Sequence, residues 1–320
     1  MQRTLWLILW VLWGMWLNLP AALANPSPLA SPQLPSAAPQ PPLFAFAHSL
    51  FAAGEYYRAI GEFQRFLFFQ SDHPLASEAL LTIGLAFFCG ERWLPAFEVF
   101  RRLTRATPDV SLRAEAALWM AETRARAGDQ EEAIRLYREL MRQYPGSIVA
   151  ERAAYRIGWS YVQLRRWPEA YEAFSQVDTT SRYRESAERL AAMLHPPPDL
   201  PQRSPTVARI LSTVLPGAGQ IYTGNTLDGL IGIGLHGAMI AGMTGAATAG
   251  LKGATGIGAF FTWGFYQTQM SNAATLAREF NVQAEERFIG QLAAQEGPFL
   301  HAYTRPLPCL PALSLPSLRP

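Results

Sequence analysis

Cysteine is almost missing from this chain. Two residues in 320, Cys89 and Cys309, are too few for a disulfide framework or a Cys-rich zinc site. The five histidines (His48, His73, His195, His236, His301) are scattered, with no pair at ligand spacing. Lysine occurs once, at Lys252, and charged residues make up only 16% of the chain, against about 25% in an ordinary soluble protein. The formal net charge of +2 provides no field that would gather nucleic acid. No paired carboxylates or nucleophile–base set stand out; Glu131-Glu132 reads as ordinary exposed helix charge. These absences predict a chain that is not an enzyme and carries no metal or cofactor. Disorder throughout is excluded as well, because 49% apolar residues are enough to build a core. Cys89 itself reads as a small buried hydrophobe.

What is abundant divides the chain. Eighteen of the 25 prolines fall in Pro26–Pro42, Pro196–Pro205 and Pro298–Pro320, which read as extended linkers or a tail. Fourteen of the 24 glycines lie between Gly217 and Gly264. The N-terminus has Arg3, an apolar run from Leu5 to Leu17 and then Ala22-Leu23-Ala24, the build of a secretory signal cut after Ala24. The alternative is an uncleaved anchor presenting Trp6, Trp10, Trp13 and Trp16. Either form implies export.

The block from 43 to 195 repeats itself with a period of 37 residues. Ala59, Ala96, Ala133 and Ala170 keep the step, as do Phe63, Phe100, Tyr137 and Phe174. So do Ala47, Gly84, Ala121 and Gly158, and a fourth row of Phe66, Leu103, Leu140 and Val177. Such a period signals a solenoid of stacked units. A small residue on one helix, another twelve residues later and an aromatic four further on predict two antiparallel helices in close approach, the ring filling the space beside them. Gly54, Gly90-Glu91 and Gly128-Asp129 mark the turn inside a unit, and Pro108 and Pro145 end the second helix. A last helix at about 182–194 would cap the stack.

This pattern resembles the tetratricopeptide repeat, and its lengthened form resembles repeats of exported envelope proteins that assist outer-membrane assembly or coordinate constriction. The resemblance implies an all-α solenoid that binds a protein partner in the groove lined by the first helix of each unit. Carried along the register, the groove positions are Phe44, Leu81, Leu118 and Tyr155; His48, Leu85, Glu122 and Trp159; and Phe51 and Phe88, with Arg126 and Gln163 beside them. The alternative is that neighbouring first helices pack on each other through these side chains.

The last third belongs to the membrane by composition. Leu230 to Ala249 and Gly253 to Met270 carry no formal charge, with Lys252 between. Together they predict a two-helix hairpin within 206–270, the second run short. Gly234, Ala238, Gly242, Ala246 and Gly250 form one helical stripe and Ala254, Gly258 and Thr262 another, suited to packing on each other or on a second copy. Gly232-Ile233-Gly234-Leu235-His236-Gly237 fits a dinucleotide-loop pattern, but no strand precedes it and no acid follows at the required distance. Leu215-Pro216-Gly217-Ala218-Gly219-Gln220-Ile221-Tyr222-Thr223-Gly224 resembles the LPGxGQxYxG signature of small two-helix membrane domains of the TM2-like and related families. At this corner Pro216, Gly217 and Gly219 would break an amphipathic helix (Val207, Ile210, Leu211, Val214) at the bilayer surface, with Gln220 and Tyr222 at headgroup level. A binding role for Gln220 and Tyr222 is the alternative.

Residues 271–296 predict a separate amphipathic helix, with Ala273, Leu276, Ala277, Phe280, Ala284, Phe288 and Leu292 on one side, before a loose tail. A cleaved signal places the repeats outside the cytoplasm, with the Lys252 turn inside. The expectation is an inner-membrane-anchored periplasmic scaffold for an envelope protein. Two other readings are a membrane module handling a small ligand or ion through Asp228 and His236, and an accessory subunit of a cell-wall enzyme.

Overall fold

The computed structural model describes residues 41–295 and Cys309. The expected signal peptide, nearly all of the first Pro-rich linker and the tail apart from Cys309 lie outside those residues. Thirteen helices and no strand make up the described chain.

Eight of the helices form four antiparallel pairs: α1 (Pro42–Ala52) with α2 (Tyr56–Phe69), α3 (Ala76–Cys89) with α4 (Trp93–Ala106), α5 (Val110–Arg126) with α6 (Gln130–Gln143), and α7 (Ile148–Gln163) with α8 (Trp167–Ser175). Helix α9 (Arg184–Leu194) packs on α8 and covers its apolar face with Ala187, Leu190 and Leu194. The two helices of a pair bury different amounts of themselves. In α4 only Ala96, Phe97, Phe100 and Leu103 are buried, one stripe. In α3 eight of fourteen residues are buried, including Leu81, Leu85 and Phe88. The difference follows from position. A first helix touches its own partner, the second helix of the preceding unit and the neighbouring first helices, so it needs an apolar surface most of the way round.

Within a pair, approach is set by the small residue and the ring expected from the repeat. A Cβ placed on Gly84 would lie 2.4 Å from Phe100 Cε1, and one on Gly158 would lie 2.5 Å from Phe174 Cε1. Ala47 and Ala121 occupy the same register position, fully buried, as are Phe63 and Tyr137 opposite them.

The turn inside each unit is one motif made four times. Gly54, Glu91, Gly128 and Arg165, spaced by 37, all have positive φ, at 79°, 56°, 89° and 58°. In each the following amide donates to the carbonyl five residues back: Glu55 to Leu50, Arg92 to Phe87, Asp129 to Arg124 and Arg166 to Tyr161, at 2.9–3.0 Å. That bond satisfies an orphan carbonyl of the first helix and reverses the chain. Glycine was readable at two of these positions; Glu91 and Arg165 hold the same conformation at a steric cost.

After a linker come α10 (Pro205–Val214), the short α11 (Ala218–Tyr222), α12 (Thr226–Thr248) and α13 (Lys252–Ala294). Here the structure departs from expectation. The second apolar run and the amphipathic segment are not two helices but one, α13, 43 residues long, about 65 Å at 1.5 Å per residue. The change of composition near Met270 alters what surrounds the helix without interrupting its hydrogen bonding. Helix α10 packs along α13, α11 links α10 to α12, and α12 runs against α13. The outer side chains of α10 are exposed as expected: Ile210 at 57% and Val214 at 81%.

Two substitutions test this account in opposite directions. Gly84→Ala forces the Phe100 ring to shift and should destabilise by about 1–3 kcal/mol. Glu91→Gly removes the left-handed penalty, offset in part by unfolded-chain entropy, and should stabilise by about 0.5–1 kcal/mol. Urea unfolding of the detergent-solubilised protein, followed by helical circular dichroism, reads both.

Candidate functional site

The structure sorts the expected groove residues into two groups. Phe44, Phe51, Leu81, Leu85, Phe88, Leu118, Tyr155 and Trp159 are all buried, none more than 8% exposed, and Glu122 is wholly buried. As a partner-contacting row this set is therefore corrected. These side chains pack chiefly on the second helices to either side, and less on the neighbouring first helices, so they form the interior of the stack. Phe44 meets Phe63 and Phe66 edge-on at 5.5 Å, and Tyr155 stacks on Tyr183 at 5.2 Å. His48 and Gln163 stay exposed, and Arg126 is half-buried.

Around Glu122 the inner face carries a charge arrangement. The carboxylate sits on α5 at the contact with α7 and receives Arg156 Nε at 2.8 Å and Nη2 at 2.5 Å, a two-point pairing. Arg152 Nε lies 3.8 Å away. Burial alone would raise the Glu122 carboxyl; Arg156, then Arg152, and Arg126 further out, together hold it below its ordinary value. Arg156 and Arg152, with Arg126 further out, thus stand around one buried carboxylate where units three and four meet. Nearby, burial pushes the Tyr183 phenol up, with Arg152 and Arg182 acting against it. Sequence reasoning found Glu122 and Arg126 but passed over Arg152 and Arg156, because neither lies on the expected row.

Cys89 corrects another expectation. It is bonded to Cys309, 220 residues on, with Cα atoms 5.2 Å apart, and Cys309 packs against the core cluster of the first two units. Spacing alone gave no sign of this, since only folding brings the two residues together.

The corner before the hairpin is a buried polar joint, not a set of headgroup contacts. Gln220 is 1% exposed. Its Oε1 accepts from Ser212 Oγ at 3.0 Å, while Nε2 donates to Gln269 Oε1 at 2.6 Å and to the Gln269 carbonyl at 3.1 Å. Tyr222 accepts from the Ser204 amide at 3.1 Å, and Arg203 lies over its ring at 5.1 Å. Pro216 precedes Gly217, whose φ is +100° and whose added Cβ would stand 2.2 Å from the Gly229 carbonyl oxygen. A Cβ on Gly219 would stand 2.1 Å from the Ala208 carbonyl oxygen. The signature residues let three helices meet backbone to backbone and leave no room for a ligand between them.

Among the described residues, α12 alone is long and apolar enough to cross a membrane. Its stripe does not pack on α13: added Cβ atoms on Gly234 and Gly242 would meet nothing within 4 Å, whereas one on Gly258 would reach Met243 at 3.5 Å. Asp228 is exposed in the first turn of α12. His236 lies two turns on, against Phe265 and Tyr266 at 6.1 and 5.9 Å, with a buried Nδ1 that has no hydrogen-bond partner.

A tetratricopeptide repeat family model matches residues 115–147 and 152–178, the third and fourth pairs. The chain carries tetratricopeptide repeats. A tetratricopeptide repeat protein of Parabacteroides merdae, known from a crystal structure, is 15% identical over 78% of this chain and 97% of its own, with a TM-score of 0.40. No curated protein matches the sequence.

Because the folded-state carboxyl of Glu122 is held below 4.5, its contribution to stability is present above that pH and lost as pH falls through the folded value. Glu122→Gln breaks the two-point pairing with Arg156 and should cost about 3–5 kcal/mol near neutrality. Urea midpoints measured from neutral pH downward should show the gap from the parent protein narrowing on the acid side.

Proposed function

We propose that this chain is a non-enzymatic scaffold, exported and anchored in the inner membrane of a diderm bacterium, that holds an envelope protein on the inner face of its repeats. Repeats of this kind suggest protein interaction, and the polar end of the inner face, with Gln163 exposed and Arg126 half-buried near the Glu122–Arg156 pair, is the observation that carries the reading here. A partner segment bearing carboxylates or amides meets half-buried Arg126 and exposed Gln163 at a fixed place along the stack.

The anchoring is supported by two contacts beyond the hairpin. Arg165 Nε lies 3.3 Å from Glu285, and Trp167 meets Phe288 edge-on at 5.4 Å, so the far half of α13 rests on the fourth unit. Cys309 is bonded to the second unit. The chain therefore stands on the repeat side both before and after the hairpin. If α12 crosses the bilayer, the uncharged stretch after Lys252 must cross back, with that lysine on the far side in keeping with the inside preference for positive charge. A persistent disulfide fits an oxidising compartment such as the periplasm. The open Gly234/Gly242 stripe then faces lipid or a second copy of the chain.

The reading as a membrane module rests on Asp228, which is exposed, and His236, and His236→Leu should leave partner capture intact. Crosslinking in intact cells, followed by purification of the full chain, tests the scaffold. Arg126→Glu with Gln163→Glu should lower the yield of the crosslinked partner about ten-fold, or ~1.4 kcal/mol, without loss of helicity. Retention of the partner by that variant refutes the inner-face assignment. Tyr155→Ala and Trp159→Ala, being core changes, should lower stability by about 3–5 kcal/mol.

A further inference from the structure

Arg203 sits on the outer side of the corner, between the end of α11 and α13. Asn281 of α13 clamps its backbone: the Arg203 amide donates to Asn281 Oδ1 at 2.7 Å, and its carbonyl accepts from Asn281 Nδ2 at 3.0 Å. Its guanidinium carbon lies over two rings, 5.1 Å from the Tyr222 centroid and 5.3 Å from that of Phe280. The residue is exposed, and no carboxylate or carbonyl among the described residues takes its side-chain N–H groups. A planar cation that is held in place, exposed and unpaired is prepared for an anion able to accept two parallel N–H bonds.

The two helices that Arg203 touches set its depth. Tyr222 comes just before α12, the helix long and apolar enough to cross a membrane. On α13 no charged residue occurs from Gly253 to Ala277, and Phe280 lies two residues past Arg278, the first charge. Those uncharged residues cover about 37 Å, enough for a hydrocarbon core of about 30 Å. Arg203 therefore stands at the headgroup level of a bilayer crossed by α12. Helix α10 begins two residues later, with Val207, Ile210, Leu211 and Val214 exposed on one side and exposed Arg209 on its flank. An apolar side bordered by arginines, joined directly to a crossing helix, suits a helix lying in an anionic lipid surface.

We propose that Arg203, seconded by Arg209, binds the phosphate of an anionic lipid headgroup, whose acyl chains lie along the exposed side of α10. The inference rests on α12 crossing the bilayer. Tyr222 and Phe280 are positioning residues: they fix the guanidinium, so less side-chain freedom is lost when the phosphate arrives. A choline headgroup brings its own cation beside the phosphate, so the site favours a lipid with net negative charge.

Native mass spectrometry of the detergent-solubilised full chain tests this, with phosphatidylglycerol or phosphatidylcholine of matched acyl chains added. The parent should retain phosphatidylglycerol about five- to ten-fold better, and Arg203→Gln should abolish the preference with circular dichroism unchanged. Arg203→Lys, a point charge without the planar fork, should restore it only in part. Equal retention of the two lipids by the parent, or an undiminished preference in Arg203→Gln, overturns the proposal. So does displacement of the lipid by equimolar inorganic phosphate, which makes this a free-anion site. Loss of crosslinked protein partner in Arg203→Gln with the lipid preference intact also overturns it, giving the arginine to a protein. Should Arg203→Gln fail to fold, the parent's preference must still weaken as salt is raised; a preference indifferent to salt refutes the site. Carbonate extraction of membranes separates this claim from the anchoring: a parent chain released into the soluble fraction removes both, whereas one that stays bound leaves the lipid comparison to decide.

Discussion

A side chain of one atom or none, set against an aromatic ring, governs the repeat half of this protein. Gly84 under Phe100 and Gly158 under Phe174 leave no space for a methyl group, and Ala47 and Ala121 hold the same place beside Phe63 and Tyr137. Close approach of each first helix to the second helices on either side buries the row through which such repeats would otherwise meet a ligand. The inner face therefore presents mainly what hydrophobic packing cannot absorb: the rim of the charge cluster around Glu122, and a few polar side chains at the ends of the helices.

The same device recurs before the hairpin with a different purpose. Gly217, Gly219 and Gly229 bring three helices together at backbone distance, which would strand polar groups if Gln220 did not bond to Ser212 and Gln269. Glycine supplies the approach and one buried amide side chain satisfies what the approach leaves unpaired. In the repeats the space beside the small residue is filled by a ring, because nothing polar is left there.

Much of the fold was legible because its rules are local and repeated. The step of 37 residues located the helix pairs, and Gly54 and Gly128 marked two of the four turns. The other two were hidden because Glu91 and Arg165 adopt the same backbone without the residue that advertises it. The inner row was read in the right register and given to a partner, with packing between helices left as the alternative, since periodicity identifies a face and not what lies across from it. Arg152 and Arg156 were invisible for a related reason: their meaning depends on a carboxylate about thirty residues earlier. The Cys89–Cys309 bond joins parts of the chain whose proximity only the folded path creates. The boundary drawn near residue 270 followed a change of composition, whereas helical hydrogen bonds ignore that change.

That uninterrupted helix has a mechanical meaning. The half of α13 beside α12 and the half that touches Arg165 and Trp167 share one hydrogen-bonded rod, with no proline along its length to absorb a twist. Rotation or sliding of the half beside α12 is delivered to the fourth unit as torque or thrust, so the setting of α12 and the posture of the last helix pair are mechanically geared.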